Sequence, residues 1–401
     1  MVTTGRERRR VLIIVENLPV PFDRRVWLEA NALHDAGYAV TVICPKGKGF
    51  EASEEVIDGI TVYRHPLPYE GESGFLGFLA EYSLAWLMEF GLAWKASFRR
   101  GFDIVHACNP PDNIFLVALF FRPFGVRFVF DQHDINPELY EAKYARKDML
   151  YRVICWLERA TYATAHLVIS TNESYRRIAL TRGKKRPEQV HIVRSAPDTT
   201  RFKQVVVDES LKRGRAHLVV YLGVMGRQEG VNLLLDAVAY ICNTLGRKDV
   251  FFALVGSGPE RANMEKYAET LGVAEHVHFT GRIPDSELLV YLSTADVCVN
   301  PDVVNEMNDK STMNKIMEYM AVGKPIVQFE MTEGRYSAQD ASLYAKPNDA
   351  VDFADKILEL LADPEQRTRM GEFGRRRMEE QLDWRFSREA LIKAYATLDG
   401  D

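Results

Sequence analysis

The chain of 401 residues has few cysteines and no cysteine pairing pattern. Cys44, Cys108, Cys155, Cys242 and Cys298 are scattered, and no two have CxxC spacing. That excludes a disulfide framework and a cysteine zinc site, and it reads as reduced, mostly buried thiols in a cytoplasmic protein. Basic excess is missing too. A net charge of −5 argues against general nucleic-acid binding, so no nucleic-acid partner is expected. No apolar run reaches the roughly 18 residues of a membrane-spanning helix. Arg6, Arg8, Arg9 and Arg10 precede only a short apolar run ended by Glu16, which is not a signal peptide. No G-x-G-x-x-G follows that run, so a dinucleotide site lacks direct support. His276 and His278 alternate along a strand-like stretch without an acid or cysteine partner, and no metal is expected.

What the chain does have is alternation. Val11–Val15, Ala39–Cys44, Ile60–Arg64, Phe102–His106, Arg127–Asp131, Leu167–Ser170 and Val190–Val193 read as strands. Apolar on both faces, such runs suit a buried parallel sheet. Helical patterns lie between them, as in Arg24–Ala36, Asn113–Phe121, Asp148–Thr164 and Glu173–Thr181. A polar, basic stretch from Arg194 through about Arg215 reads as a linker. Alternation then restarts with Leu218–Leu222, Val250–Val255, Val277–Phe279, Asp296–Pro301 and Pro325–Phe329. The fold class is therefore α/β, with two doubly wound parallel-sheet (Rossmann-like) domains, 1–203 and 204–383. A ligand cleft is expected between them, and a last helix, 384–401, is expected to cross back to the first domain.

The most informative stretch is Asn308–Gly323, a polar loop opening into a helix. Asp309, Ser311 and Thr312 are N-cap types, Ile316, Met317 and Met320 keep helical spacing, and Gly323 suits a C-cap. Lys310 and Lys315 add positive charge near a helix start, which favours anions. Glu318, one turn further in, can accept hydrogen bonds from neutral hydroxyls. Phosphates at the helix start and a diol at an acid describe a nucleotide diphosphate; a well-capped surface helix fits the same letters. Earlier, Gly223, Gly226 and Gly230 between strand and helix allow close approach of a phosphate.

In the first half, Asp23, Arg24 and Arg25 follow the first strand, where open α/β sheets place ligands; helix-surface charge is the other reading. His133 ends a buried strand between Asp131 and Asp134. It is suited to a sugar hydroxyl or a proton, or to fixing its own loop. Gly74–Arg100 is helical in pattern and aromatic (Phe75, Phe78, Trp86, Phe90, Trp94, Phe98), with basic residues at its end. It reads as a core helix or as a peripheral membrane contact, and Glu81 and Glu89 count against the second.

With these loops in order, nearly the whole chain resembles the retaining nucleotide-sugar glycosyltransferases of family 4, which have the GT-B fold. Arg24–Ala30, Phe102–His106, Gln132-His133-Asp134, Val255–Pro259, Phe279–Ile283 and Glu318–Val327 carry the resemblance. It implies transfer of a sugar, hexosyl or N-acetylhexosaminyl, from a nucleotide diphosphate to a hydroxyl acceptor, with retention and without a cofactor. It places Glu318 on the donor ribose, His133 against the transferred sugar, and the pyrophosphate on amides from Ser311 through Thr312 and Asn314 to Lys315. Gly226, Arg227, Gly256 and Arg282 complete the donor side, with the base near Gly281–Ile283. Asp23 and Arg24 fall on the acceptor side. The implied acceptor is a lipid-linked saccharide or envelope glycan at the inner membrane face. Two departures stand out. The family's first glutamate, eight residues before Glu318, is Lys310 here, with Asp309 and Glu306 as the nearest acids to grip the sugar. The family's arginine and lysine after the first C-terminal strand are Val224 and Glu229. A nucleotide-sugar epimerase of the same fold and a nucleotide-binding pseudoenzyme or assembly subunit are the rival readings.

Overall fold

The structure, a computed structural model, describes residues 9–47, 49–66 and 75–398, with side chains in the helix Phe75–Arg99 described from residue 84. Arg6, Arg8, Gly74 and the side chains of Phe75, Phe78 and Glu81 lie outside the described residues.

The first sheet contains β1 (Arg10–Ile14), β2 (Ala39–Pro45), β3 (Glu54–Ile57), β4 (Ile60–His65), β5 (Ile104–Cys108), β6 (Arg127–Gln132), β7 (Leu167–Ser170) and β8 (Val190–Ile192). Its spatial order is β3-β4-β2-β1-β5-β6-β7-β8, parallel except for the β3–β4 hairpin. The second contains β9 (His217–Leu222), β10 (Val250–Val255), β11 (Val277–Gly281), β12 (Val297–Asn300), β13 (Ile326–Phe329) and β14 (Ser342–Ala345). Its order is β11-β10-β9-β12-β13-β14, parallel throughout. Val11, Leu12, Ile13 and Ile14 are all buried because β1 sits between β2 and β5, with Val11 beside Val40 and Ile104. In each sheet the chain starts near the middle, builds outward one way, then reverses. The reversal leaves a crevice at the carboxyl ends of β1 and β5, and another at those of β9 and β12.

Two strands were not anticipated. β3 is half exposed and carries Glu54 and Glu55, so it lacks the apolar run of an interior strand. The turn Asp58-Gly59, with φ of 50° and 82°, is its sequence signal. β14 is a short edge strand of only four residues.

By its contacts the chain divides into two compact units. One runs through Val193 and takes up again from Ser387; the other is Arg194–Phe386. The division precedes residue 203 because Ala196 and Phe202 are buried in the second unit's core with Leu218, Leu292 and Met378. Thr199 also donates from its N–H and its hydroxyl to Asp383 Oδ2, at 3.0 and 2.6 Å. Among the described residues, no helix is long and apolar enough to cross a membrane. All five cysteines are free, and four are buried.

Candidate functional site

In the first unit, the crevice between β1 and β5 is organised around a buried carboxylate. Asp23 Oδ1 accepts from the Val26 N–H (3.1 Å) and so starts the helix Arg24–Asp35. Arg24 lies exposed on its first turn, whereas Arg25 turns inward and is buried. Arg25 Nη2 reaches Asp131 Oδ1 at 2.7 Å and Glu29 Oε1 at 3.0 Å, and its Nη1 donates to the Val193 carbonyl at 2.9 Å. Asp131, fully buried near the end of β6, brings its Oδ2 to 2.5 Å from His133 Nε2. With His133 Nε2 donating its proton to that carboxylate, Arg25 Nε, 3.0 Å from the ring nitrogen, donates instead to Asp131 Oδ2 at 3.3 Å. The His133 backbone is held as well. Asn109 Oδ1, from the loop after β5, accepts from the N–H groups of His133 (2.8 Å) and Asp134 (3.2 Å).

Burial alone would raise the Asp131 carboxyl. The charges of Arg25 and His133 and the hydrogen bonds of the two histidines outweigh that and hold it well below the usual range. Glu29 goes the other way. Burial pushes it well above the glutamate range, Arg25 only partly opposes, and Asp131 adds to the rise. Arg25 and Asp131 therefore form the charged pair, and Glu29 keeps its proton. His106 is buried and held neutral by that burial. It lies 3.4 Å from Glu29 Oε2, 3.5 Å from Asp131 Oδ2 and 2.6 Å, through Nδ1, from the Tyr395 hydroxyl of the last helix. His106, Cys108 and Asp131 are close enough to hold a cation together, but the Arg25 guanidinium already supplies positive charge at Asp131.

In the second unit, the loops after β9, β10 and β11 lie side by side. Gly223 N–H donates to Val255 O (3.0 Å), Met225 N–H to Ser257 O (3.1 Å) and Gly256 N–H to Gly281 O (3.0 Å). Gly256 has a φ of 130°, and a Cβ there would overlap the Gly223 carbonyl, so only glycine lets the loops meet. The loop after β12 joins them. Val303 N–H and the Asn308 side chain both donate to the Gln228 carbonyl, at 2.9 and 3.0 Å.

The stretch Asn308–Gly323 is not one helix. Asn305 caps a short helix, Glu306–Lys310, by accepting from Met307 and Asn308 N–H groups (3.0 and 2.9 Å). Ser311 is extended, and its hydroxyl donates back to Met307 O at 2.8 Å. The second helix, Asn314–Ala321, has Met313 as its N-cap residue, whose side chain makes no cap hydrogen bond. The N-cap position is thus Met313 rather than Asp309, Ser311 or Thr312. Tyr319 ties this helix to the sheet: its hydroxyl accepts from Leu222 N–H (2.8 Å) and donates to Val299 O (3.1 Å). Lys315, on the first turn, pairs with buried Asp302 at 2.8 Å and lies over the Tyr221 ring, 4.9 Å from its centroid. Glu229 sits beneath Gly226; burial raises its carboxyl, Lys315 attracts it and Asp302 repels it.

Residues 23–196 match the family model of the glycosyl transferase 4-like domain, and residues 203–377 match that of glycosyl transferases group 1. The chain is a GT4-type glycosyltransferase. Lipopolysaccharide core biosynthesis glycosyltransferase LpsE of Rhizobium meliloti (strain 1021) is 32% identical over 185 residues, 46% of this chain and 49% of that protein. The chain thus spans about half the length of that relative. Alpha-D-kanosaminyltransferase of Streptomyces kanamyceticus is 24% identical over 315 residues, 77% of this chain and 80% of that protein. Among solved structures, sucrose-phosphate synthase from Thermosynechococcus elongatus superposes with a TM-score of 0.81 at 20% identity, over 98% of this chain and 99% of that one. That likeness shows the fold, and the fold is GT-B.

Within this glycosyltransferase the expected residues fall in two sets. Gly226, Gly256, Lys315 and half-buried Glu318 gather around the β9/β12 crevice with Ser311, Thr312 and Asn314. Arg227 is exposed and bonds Glu260 (3.2 Å), and Arg282 is exposed on the loop after β11. Asp309 turns away to a neighbouring helix, its carboxylate accepting from Thr332 N–H (2.7 Å) and hydroxyl (3.0 Å). Lys310 pairs with Glu306. The motifs assigned no role to Asp131, Glu29, Asn109 and Asp302, which hold Arg25, His133 and Lys315 in place. A charged residue closing an apolar strand, as Asp131 closes Phe128-Val129-Phe130, was the available signal.

Proposed function

We propose that the chain moves a hexosyl or N-acetylhexosaminyl group from a nucleotide diphosphate to a hydroxyl acceptor, with retention at the anomeric carbon. The observation that carries this reading is the helix Asn314–Ala321. It opens at Met313 at the switch point of the second sheet, beside the Gly223–Gly230 loop, with Lys315 on its first turn and Glu318 one turn in. First-turn amides and the helix dipole favour the diphosphate, and the Glu318 carboxylate accepts from the ribose hydroxyls. Lys315 supplies charge for the departing phosphate. The bond from the anomeric carbon to the phosphate oxygen breaks as the acceptor oxygen bonds to that carbon on the same face. The leaving phosphate takes the acceptor proton, so no enzyme nucleophile and no metal is required. His133, oriented by Asp131, bonds a hydroxyl of the transferred sugar. The likeness to LpsE, a lipopolysaccharide core biosynthesis glycosyltransferase, supports an acceptor in envelope glycan or glycolipid synthesis.

A thermal-shift panel with UDP, GDP, ADP and dTDP, then their sugar conjugates, tests the reading. A nucleotide at 100 times its dissociation constant stabilises by about 2.7 kcal/mol. One clear winner is expected, followed by transfer in which NMR finds the donor's anomeric configuration kept. No shift with any nucleotide overturns the proposal.

A further inference from the structure

The first sheet has a second opening, at the end opposite its crevice. The crevice lies at the carboxyl ends of β1 and β5. At the amino ends a cavity of about 350 Å³ is lined by Arg10, which begins β1, by Thr41 of β2 and Thr61 of β4, and by His34 and Arg100. β1 has five residues, so roughly 15 Å of strand separates the two openings. The helix Arg24–Asp35 spans the same separation, with Arg25 on its first turn and His34 on its last. None of Arg25, Asp131 and His133 lines the cavity.

The two threonines are register partners on neighbouring strands, so their side chains stand side by side on one face of the sheet. Thr41 is 7% and Thr61 3% exposed, and among the described residues neither hydroxyl has a hydrogen-bond partner. Around them Leu12, Val40, Val42, Ile60 and Val62 are buried and apolar. Two unpaired hydroxyls in such a setting are destabilising unless something bonds them. The charged side chains of the lining are both arginines, and among the described residues no acid lines the cavity. Asp103 fixes the Arg10 fork, accepting from Nη2 at 2.7 Å and Nε at 3.2 Å, while Arg10 Nη1 donates to Arg100 O at 3.3 Å. The Arg100 guanidinium and the His34 ring make no hydrogen bond or ion pair among the described residues. Glu54 attracts Arg100 but is bonded by Lys95 and Arg99, at 2.8 and 3.2 Å. Two glycines leave the space these groups use: a Cβ at Gly59 would meet His34 Nε2, and one at Gly101 would meet Arg10 Nη1.

Guanidinium and hydroxyl donors converging on one space suit a phosphoryl group, whose oxygens accept from several directions. The volume suits more than a bare ion, because a water takes about 30 Å³ of liquid and small-molecule pockets begin near about 300 Å³. We propose that this cavity binds the phosphoryl group of a small phosphate ester, held by Arg100 and Arg10 at the mouth and by the Thr41 and Thr61 hydroxyls inside. The inference goes beyond the glycosyl transfer proposed above and does not rest on it.

The experiment is titration calorimetry of the full chain with glycerol 3-phosphate, inorganic phosphate and glycerol. Glycerol 3-phosphate is expected to bind, more tightly than inorganic phosphate, and glycerol is not. R100Q removes a charged donor and weakens binding about tenfold. T41V keeps the side chain's shape and weakens it several-fold. Both variants keep wild-type circular dichroism, and neither melts lower without ligand. K315M and H133A, one in each crevice, leave the binding unchanged. Inorganic phosphate that binds as tightly as the ester, with the same losses in R100Q and T41V, supports the site and gives it to the free ion. No binding of either phosphate, or binding that R100Q and T41V leave unchanged, overturns the proposal. Binding lost in K315M and kept in R100Q overturns it as well, because the phosphate then sits in the β9/β12 crevice.

Discussion

Asp131 Oδ2 lies 2.5 Å from His133 Nε2, and the other oxygen of the same carboxylate is 2.7 Å from Arg25 Nη2. The histidine at the carboxyl edge of β6 is thus held by a charge pair buried beneath it. Fixing one ring nitrogen sets the tautomer and the orientation of the other.

Asp131→Asn removes the charge that Arg25 and His133 share. Arg25 then loses its charged partner and keeps Glu29, whose carboxyl burial raises, and the Val193 carbonyl. Breaking a buried pair from one side costs about 3–5 kcal/mol, and turnover is expected to fall with it. Urea unfolding measures the first. The nitrogen chemical shifts of His133 report whether Nε2 still carries the proton. Wild-type values in both would remove Asp131 from this role.

Glu318→Ala takes away the carboxylate one turn into the Asn314–Ala321 helix. Loss of its contact to ribose weakens nucleotide binding by about 1–3 kcal/mol, read by titration calorimetry with whichever nucleotide wins the panel. An unchanged dissociation constant would place the ribose elsewhere.

Gly256→Ala tests the loop platform. Its new Cβ meets the Gly223 carbonyl at a positive φ, so the loops after β9 and β10 must part. A melting temperature lowered by the equivalent of more than about 3 kcal/mol is expected, above the usual 1–3 for one strained residue, together with lost nucleotide binding. Near-normal melting would show that the loops yield easily.

Two buried acids of the first unit give a pH signature. Burial pushes Asp112 up from 3.8 to about 6, against hydrogen bonds from Asn136 and Asn109. Burial pushes Glu158 from 4.5 to about 7, against Arg182. Both folded values are raised, so the folded state keeps protons that the unfolded chain releases. Their stability contribution is full below about pH 4, shrinks as pH rises, and is lost above about 7. The change is on the order of a few kcal/mol. Unfolding midpoints at pH 5 and pH 8 are expected to drop more in the wild type than in Glu158→Gln, whose amide does not titrate. Equal drops would exclude Glu158 as a source.

Apolar runs are local, and each interior strand of both sheets was legible from one, to within a few residues. The position of His133 at a strand end and of Glu318 inside a helix followed from the same periodicity. The break at Ser311–Met313 did not, because good N-cap residues in a row do not say which of them the backbone uses. Asn305 caps a short helix before the break, Met313 is the N-cap position after it, and the Asn308 side chain is drawn to Gln228 O and Val303 O, which only the folded loops bring within reach.

Local sequence was enough for two parallel α/β sheets, their order along the chain and the strand ends that border each crevice. Burial pattern and turn residues act over a few positions, and they suffice for that. Tertiary structure alone decided which charges meet. Arg25 and Asp131 are 106 residues apart, and β1, β5 and β6 must align before one neutralises the other. Lys315 faces Asp302 and Glu229, and Asp309 turns to Thr332, for the same reason. A buried charge is stable only beside its partner, and the partner is chosen by packing in three dimensions rather than by spacing along the chain.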